Sequence, residues 1–218
     1  MTRQTSHASA DPASGPDPRA NQKERTRSAV VAAATQMLRE GIRPTVAEAA
    51  ERARVSRATA YRYFPTQEAL LVEVSQVNPA AEPVEQWLAQ LEGGEAEERL
   101  RGLLATFNPI ALREEVTMRS GLRSYLDAWL ESRREGVEIP AVREGRRMRW
   151  LDEVLAPVRR QLPPARWKRL RHALALTLGI EAMVVMKDVC HASDSEALAA
   201  LDWAAQALLR AALEEARK

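Results

Sequence analysis

Apolar residues recur along this chain at three- and four-residue spacing, and nowhere alternate with polar ones over the length of a strand, so the pattern predicts an all-α fold. A first helix is predicted from Gln22 to Glu40, with Val30, Ala33, Ala34, Met37 and Leu38 on one stripe and Gly41 as its stop. Two short helices follow within residues 45–64. Thr45 comes directly after Pro44 and has Glu48 three residues on, the pairing of a capping box, and Ser56 opens the second helix with the same kind of side-chain oxygen. A fourth helix is predicted from Thr66 to Val77, ended by Asn78-Pro79.

Beyond Pro79 the helical spacing continues. Pro83 to Leu91 gives a short helix closed by Gly93-Gly94, and Glu95 to Phe107 gives another, with Leu100, Leu103, Leu104 and Phe107 on one stripe. Asn108-Pro109 reads as the start of a new helix, a cap followed by Pro at the first helical position, which Ile110, Leu112, Val116, Leu122, Leu126 and Leu130 carry toward Arg134. After a loop over residues 136–140, a basic helix is predicted over Val142–Leu162, kinked at Pro157, with Met148, Trp150, Leu151, Val154 and Leu155 turned inward. Its Arg143, Arg146, Arg147 and Arg149 alternate with Glu144, Asp152 and Glu153, the pattern of a solvated, salt-bridged face. The last two helices are Pro164–Asp188 and one opened by Ser193 with Glu196. Both carry more apolar residues than one narrow stripe can bury, so they predict cover on more than one side, from their own domain and from a second chain through Leu174, Leu178, Val185, Leu201 and Leu208; the alternative is that they pack wholly inside a monomer.

The pair of short helices at residues 45–64 carries the chemistry. Val46, Ala49, Ala53, Val55 and Ala60 face a small core, and Ala50 lets the two helices cross closely. That leaves Arg57, Thr59, Tyr61, Arg62 and Tyr63 outward on the second helix. These side chains offer donors for phosphate oxygens and base edges, with aromatic faces for sugars and thymine methyls. The candidate DNA-binding set is Thr45, Ser56, Arg57, Thr59, Tyr61, Arg62, Tyr63 and Gln67. Lys23, Arg25 and Arg27 on the first helix are equally readable as phosphate contacts or as solubilising charge.

The run from Thr45 to Leu70, with Val55-Ser56, Thr59, Tyr61, Tyr63-Phe64 and Glu68-Ala69-Leu70, resembles the DNA-binding domain of the tetracycline-repressor (TetR) family. Two positions depart from the family's pattern. Many members carry Gly in the interhelix turn where this chain has Arg54, and a left-handed backbone there costs a non-Gly residue about 1 to 2 kcal/mol. Either the turn is shaped differently or Arg54 bears that strain. The family also commonly places Lys just after the Tyr-Phe stretch to meet a phosphate. Gln67 stands there instead; it can donate a hydrogen bond at a helix amino end but releases no counterion.

The resemblance implies a three-helix helix-turn-helix DNA-binding domain at the amino end, here residues 21–79 with the motif at 45–64, and a helical ligand-binding and dimerisation domain over residues 80–218. It further implies a homodimer paired through its last two helices, reading a palindromic operator in double-stranded DNA. A small-molecule effector held in the second domain would change the separation of the two reading heads. Candidate pocket residues are Trp87, Phe107, Met118, Tyr125, Trp129, Trp150, Glu181, Met183 and Met186, although aromatics and methionines at helical spacing more often pack in a core. Glu181, an ionisable group in an apolar helix, needs a partner: an arginine such as Arg123 or Arg147 or a group across the dimer interface is expected, the alternative being a cationic or hydroxylated ligand.

Composition refines this picture. The net charge of the 218 residues is only +2, but residues 1–75 hold 11 Lys plus Arg against 8 Asp plus Glu, a net of +3 placed at the proposed DNA-binding end. Residues 1–20, with Pro12, Pro16 and Pro18, read as a disordered tail; the alternative is a groove-reaching arm through Arg3 or Arg19. No run of about 18 uncharged apolar residues and no signal-peptide core occurs, which predicts a soluble, cytoplasmic protein without membrane contact. Cys190 is the single cysteine, so an intrachain disulfide is excluded, and with His172 and His191 it makes no metal-ligand set; no cofactor is expected. The other functional class is an enzyme with an appended DNA-binding module. Against it stands the absence of a phosphate loop, a paired ligand motif or an ordered nucleophile–base set.

Overall fold

A computed structural model describes residues 18–136 and 145–217. The described residues are helical without strands, in an all-α fold. α1 (Pro18–Arg39) starts four residues ahead of the expected Gln22, so residues 18–20 of the expected tail are helical. The remainder of that tail, with Arg3, and the residues from 137 to 144, with Arg143 and Glu144, lie outside the described residues. α2 (Val46–Arg52), α3 (Arg57–Tyr63) and α4 (Gln67–Gln76) follow where the caps place them. Then come α5 (Ala81–Ala89), α6 (Ala96–Arg113), α7 (Glu115–Glu135), α8 (Arg146–Val154), α9 (Pro164–Ala175), α10 (Ile180–Val184) and α11 (Asp194–Ala216).

The buried apolar side chains form two clusters. One runs from Val30 to Val74 and joins α1 to α4 around Ala34, Ala49, Ala50, Ala60, Phe64 and Leu70. The other runs from Ala80 to Ala212 and gathers α5, α6 and α8 to α11 around Leu103, Phe107, Trp150, Leu174 and Leu209. α7 packs against α1 and α4 on one side and α10 on the other, so it lies between the two clusters. An ion pair closes the same junction: Arg39, at the end of α1, donates at 2.6 Å to Glu114, a buried carboxylate at the corner between α6 and α7.

Three boundaries differ from the sequence pattern. Asn108-Pro109 does not open a helix, because α6 passes through it to Arg113 and turns only at Glu114. Pro109 removes the donor for the carbonyl of Ala105, but both residues sit on the exposed side, where water can take that carbonyl. Leu104, Phe107, Ile110 and Ala111 bury on the opposite side and keep the helix straight on through the proline. Consequently Val116, Leu126 and Leu130, expected to continue that helix's apolar run, lie on α7 and are exposed.

The second difference is at Pro157, where the expected kink is a change of helix type: α8 ends and a 3₁₀ segment covers Ala156–Gln161. The third is the expected Pro164–Asp188 helix, which is broken. The Thr177 hydroxyl donates to the carbonyl of Leu174, and Gly179 adopts φ 120°, a conformation L side chains rarely take. α10 then passes into a π segment, Val185–Val189. Arg147 clasps the break, donating to the carbonyl of Ala175 at 3.1 Å and to Glu181 at 2.9 Å. Glu181 thus takes Arg147, one of its expected partners, while Arg123 lies 3.5 Å from Asp127. The π segment is held to α7 by a two-pronged pair in which Arg119 donates to both oxygens of Asp188 at 2.7 Å.

Trp87, a candidate pocket residue, packs its ring on Gly102, where a Cβ would lie 2.4 Å from Cζ2. A methyl group there must displace the indole, so Gly102→Ala is expected to cost about 1 to 3 kcal/mol in urea denaturation, and Trp87→Leu in the same chain to restore part of it. Unchanged stability in the single variant would show that the ring is free to move.

The capping boxes give the fold an acid dependence. The carboxyls of Glu48 and Glu196 lie below the ordinary glutamate range, chiefly because the hydroxyls of Thr45 and Ser193 donate to them and then because the backbone amides of the same residues do. The folded values being the lower ones, the stabilisation is present above the unfolded range and is lost as the pH falls from about 5 to about 3. A Glu48→Gln/Glu196→Gln variant is expected to show a smaller drop in thermal midpoint between neutral and acid solution than the unaltered chain.

Candidate nucleic-acid interface

α3 has seven residues, too few to be stable as an isolated helix, and its place is fixed from both ends. At its start the Ser56 hydroxyl oxygen accepts from the amide of Thr59 at 3.2 Å and its hydrogen goes to Thr59 Oγ1 at 2.8 Å. At its end Phe64 is buried, with Tyr63 tilted against it at 6.4 Å between ring centroids. Ala60 is the buried residue between them. α2 is fixed by its own box, in which the Thr45 oxygen accepts from the Glu48 amide at 3.2 Å and Glu48 accepts from the Thr45 amide at 2.9 Å.

The turn between α2 and α3 resolves the two alternatives at Arg54. The amide of Val55 donates to the carbonyl of Ala50 at 2.9 Å and that of Arg54 to Glu51 at 3.0 Å, the two bonds of a Schellman motif. That motif needs a left-handed residue at its centre, and Arg54 has φ 56°. The turn keeps the shape a glycine would give it, and Arg54 bears the strain.

The expected contact residues divide by environment. Arg57 and Tyr61, one helical turn apart, project from α3, with Arg57 70% exposed along its side chain and Tyr61 46% exposed. Arg62 is also exposed and lies over the ring of Tyr63, 5.5 Å from its centroid. Thr59 and Tyr63 are half-buried rather than fully outward, because Thr59 belongs to the cap and Tyr63 packs on the small core. Thr45 and Ser56 are exposed hydroxyls already engaged as caps. Gln67 is turned to the protein: its amide nitrogen donates at 2.9 Å to the carbonyl of Pro44, tying the start of α4 to the residue before α2. This tie was not legible in the sequence, since it joins positions 23 residues apart. On α1, Arg27 is paired with Glu73, whereas Lys23 and Arg25 are exposed.

The cations of the motif differ in whether a carboxylate answers them. Arg52 pairs with Glu40 at 2.7 Å, and Arg57 stands 3.7 Å from Glu51. Among the described residues no carboxylate pairs with Arg43, Arg54 or Arg62, all exposed. The surface around α3 therefore presents unneutralised guanidinium groups and an aromatic face on a fixed helix, the donor set that phosphate and base edges accept. Among the described residues no three His, Cys, Asp or Glu side chains gather as a metal site, and no helix is long and apolar enough to cross a membrane.

In the second cluster, the pocket candidates also divide. Phe107, Trp150 and Met183 are buried in the core, and Trp150 donates its indole N–H to Glu85 at 3.0 Å. Met118, Tyr125 and Met186 are half-buried, and Trp129 is exposed with Arg133 over its ring at 5.5 Å. Of the residues expected to face a second chain, Leu174, Leu178 and Leu201 are buried within the protomer itself, because after the break α9 packs on α8 and α11 while α10 packs on α6 and α7; Leu208 is half-buried and Val185 is exposed. Leu176 at 78%, Val189 at 70% and Trp203 at 69% are the most exposed large apolar residues among those described.

Comparison with curated protein sequences finds no match. A solved structure of a TetR transcriptional regulator from Rhodococcus sp. RHA1 shares the fold at a TM-score of 0.57 and 19% identity, over 86% of this chain and 97% of that one. Residues 30–74 match the family model for bacterial regulatory proteins of the tetR family, which spans the carboxy half of α1 and all of α2 and α3 and reaches into α4. The segment matched is the one that builds the small core and aims α3, so α1 to α4 form a unit similar to the helix-turn-helix DNA-binding domain of bacterial regulatory proteins of the tetR family.

Proposed function

We propose that the protein is a cytoplasmic homodimeric repressor that reads a palindromic operator with α3 of each protomer and is released from it by a small molecule. The observation that carries this reading is the exposed face of α3: Arg57, Tyr61 and Arg62 do no packing that the fold requires, yet they stand on a helix fixed by a cap, a strained turn and a buried aromatic. Residues 21–79 act as the reading unit and 80–218 as the regulatory and dimerisation unit, a division supported by the two separate apolar clusters.

Dimerisation is supported by the exposure of Leu176, just after α9, and of Trp203 on α11. A single recognition helix reads only a few base pairs, and two of them about 34 to 36 Å apart read a palindrome with the matching symmetry. The interface is assigned to Leu176, Val185, Val189 and Trp203, not to the buried Leu174, Leu178 and Leu201. Effector control is supported by α7, which carries Met118 and Tyr125 and packs against α4, the helix tied through Gln67 to the base of the reading pair.

Duplexes selected from random sequence by the purified protein are expected to converge on a palindrome. Tyr61→Ala is expected to weaken retention of that duplex by about 10-fold or more while leaving the fold intact, since the ring is exposed. Selection that enriches no sequence would overturn the reading. In sedimentation equilibrium, Leu176→Glu with Trp203→Glu is expected to convert the dimer to a folded monomer; a dimer that persists would move the interface elsewhere.

A further inference from the structure

Arg54 carries a cost that the packing of the reading unit does not demand. Its left-handed backbone is set by the Schellman bonds of Val55 to Ala50 and Arg54 to Glu51, and glycine meets the same geometry without a Cβ penalty. The side chain is exposed and is not among the residues packed on the small core. Strain retained at an exposed position points to a use for the side chain outside the fold.

Its placement says which use. Arg54 stands two residues ahead of Ser56, the cap of α3, and therefore at the amino end of the reading helix. That is the end of a recognition helix whose residues approach the base edges, with the phosphates of the groove walls on either side. Of the nearby arginines, Arg52 is hydrogen-bonded to Glu40 and Arg57 stands 3.7 Å from Glu51. Arg62 lies over the Tyr63 ring. Arg54 has no carboxylate partner among the described residues, and the two Schellman bonds fix the backbone from which it projects.

We infer that Arg54 is a DNA-backbone anchor: its guanidinium donates to a phosphate oxygen beside the groove that α3 enters, and the strained turn fixes where the cation stands. The contact positions α3 along the duplex and carries no base preference of its own. It rests on the reading of α1 to α4 as a duplex-binding unit.

The test uses the full-length protein and two probes, the selected operator and a random-sequence duplex, titrated by fluorescence anisotropy from about 50 to about 200 mM salt. Arg54→Gly and Arg54→Asn both suit a left-handed turn and remove the cation. Each is expected to weaken binding to both duplexes about 10-fold and to reduce the slope of log affinity against log salt by about 0.9 per protomer, while the ranking of operator variants stays the same. The thermal midpoint of the free protein is expected to be equal or higher in Arg54→Gly, and Arg54→Lys is expected to keep the slope. Unchanged slopes in both the Gly and Asn variants, with the unaltered protein binding normally, would overturn the inference and leave the proposed function standing. An unaltered protein that binds neither duplex would overturn the proposed function, and this inference with it.

Discussion

The left-handed reversal at Arg54 sets the direction of α3, and the exposed face of that helix follows from it. Two backbone hydrogen bonds close α2, turn the chain and hand it to the Ser56 cap within a few residues. Seven residues of helix carry too little cooperative stability to hold such an orientation alone, so the turn, the cap and Phe64 act together. With alanines at positions 49, 50 and 60 the helices approach closely, which lets a small core fix a helix whose outer side chains are left free.

The second part of the molecule is joined to this unit by charge as well as by packing. Arg39 reaches from α1 to Glu114 at the α6–α7 corner, and Arg119, one turn further along α7, grips Asp188 of the π segment. Arg119 also pairs with Glu115, and both acids hold its guanidinium firmly protonated, Asp188 being the larger influence. α7 is therefore tied at its amino end to α1 on one side and to the π segment after α10 on the other.

The local elements were largely legible. The caps at Thr45, Ser56, Thr66 and Ser193 are short-range chemistry, each an oxygen placed beside its own orphan amides, and each stands where the sequence puts it. Helical spacing likewise identified the buried faces of α1, α6 and α8, because burial repeats with the turn of the helix. Asn108-Pro109 misled for a related reason. A Pro at N1 and a Pro inside a helix have the same local sequence, and only the burial of Ile110 and Ala111 beyond it keeps α6 going.

The sequence by itself determined the all-α class, the capped pair of short helices and the outward Arg57, Tyr61 and Arg62 of α3, since these depend on neighbours within four residues. The tertiary structure decided the rest. It committed Gln67 to Pro44, seated Arg147 across the break at Gly179, buried Leu174, Leu178 and Leu201 and left Leu176 and Trp203 outside. An apolar residue on a helix apolar all round has no face until other helices arrive, and a long polar side chain has no partner until the chain brings one within reach. Those choices depend on contacts between residues tens of positions apart, which spacing along one helix does not encode.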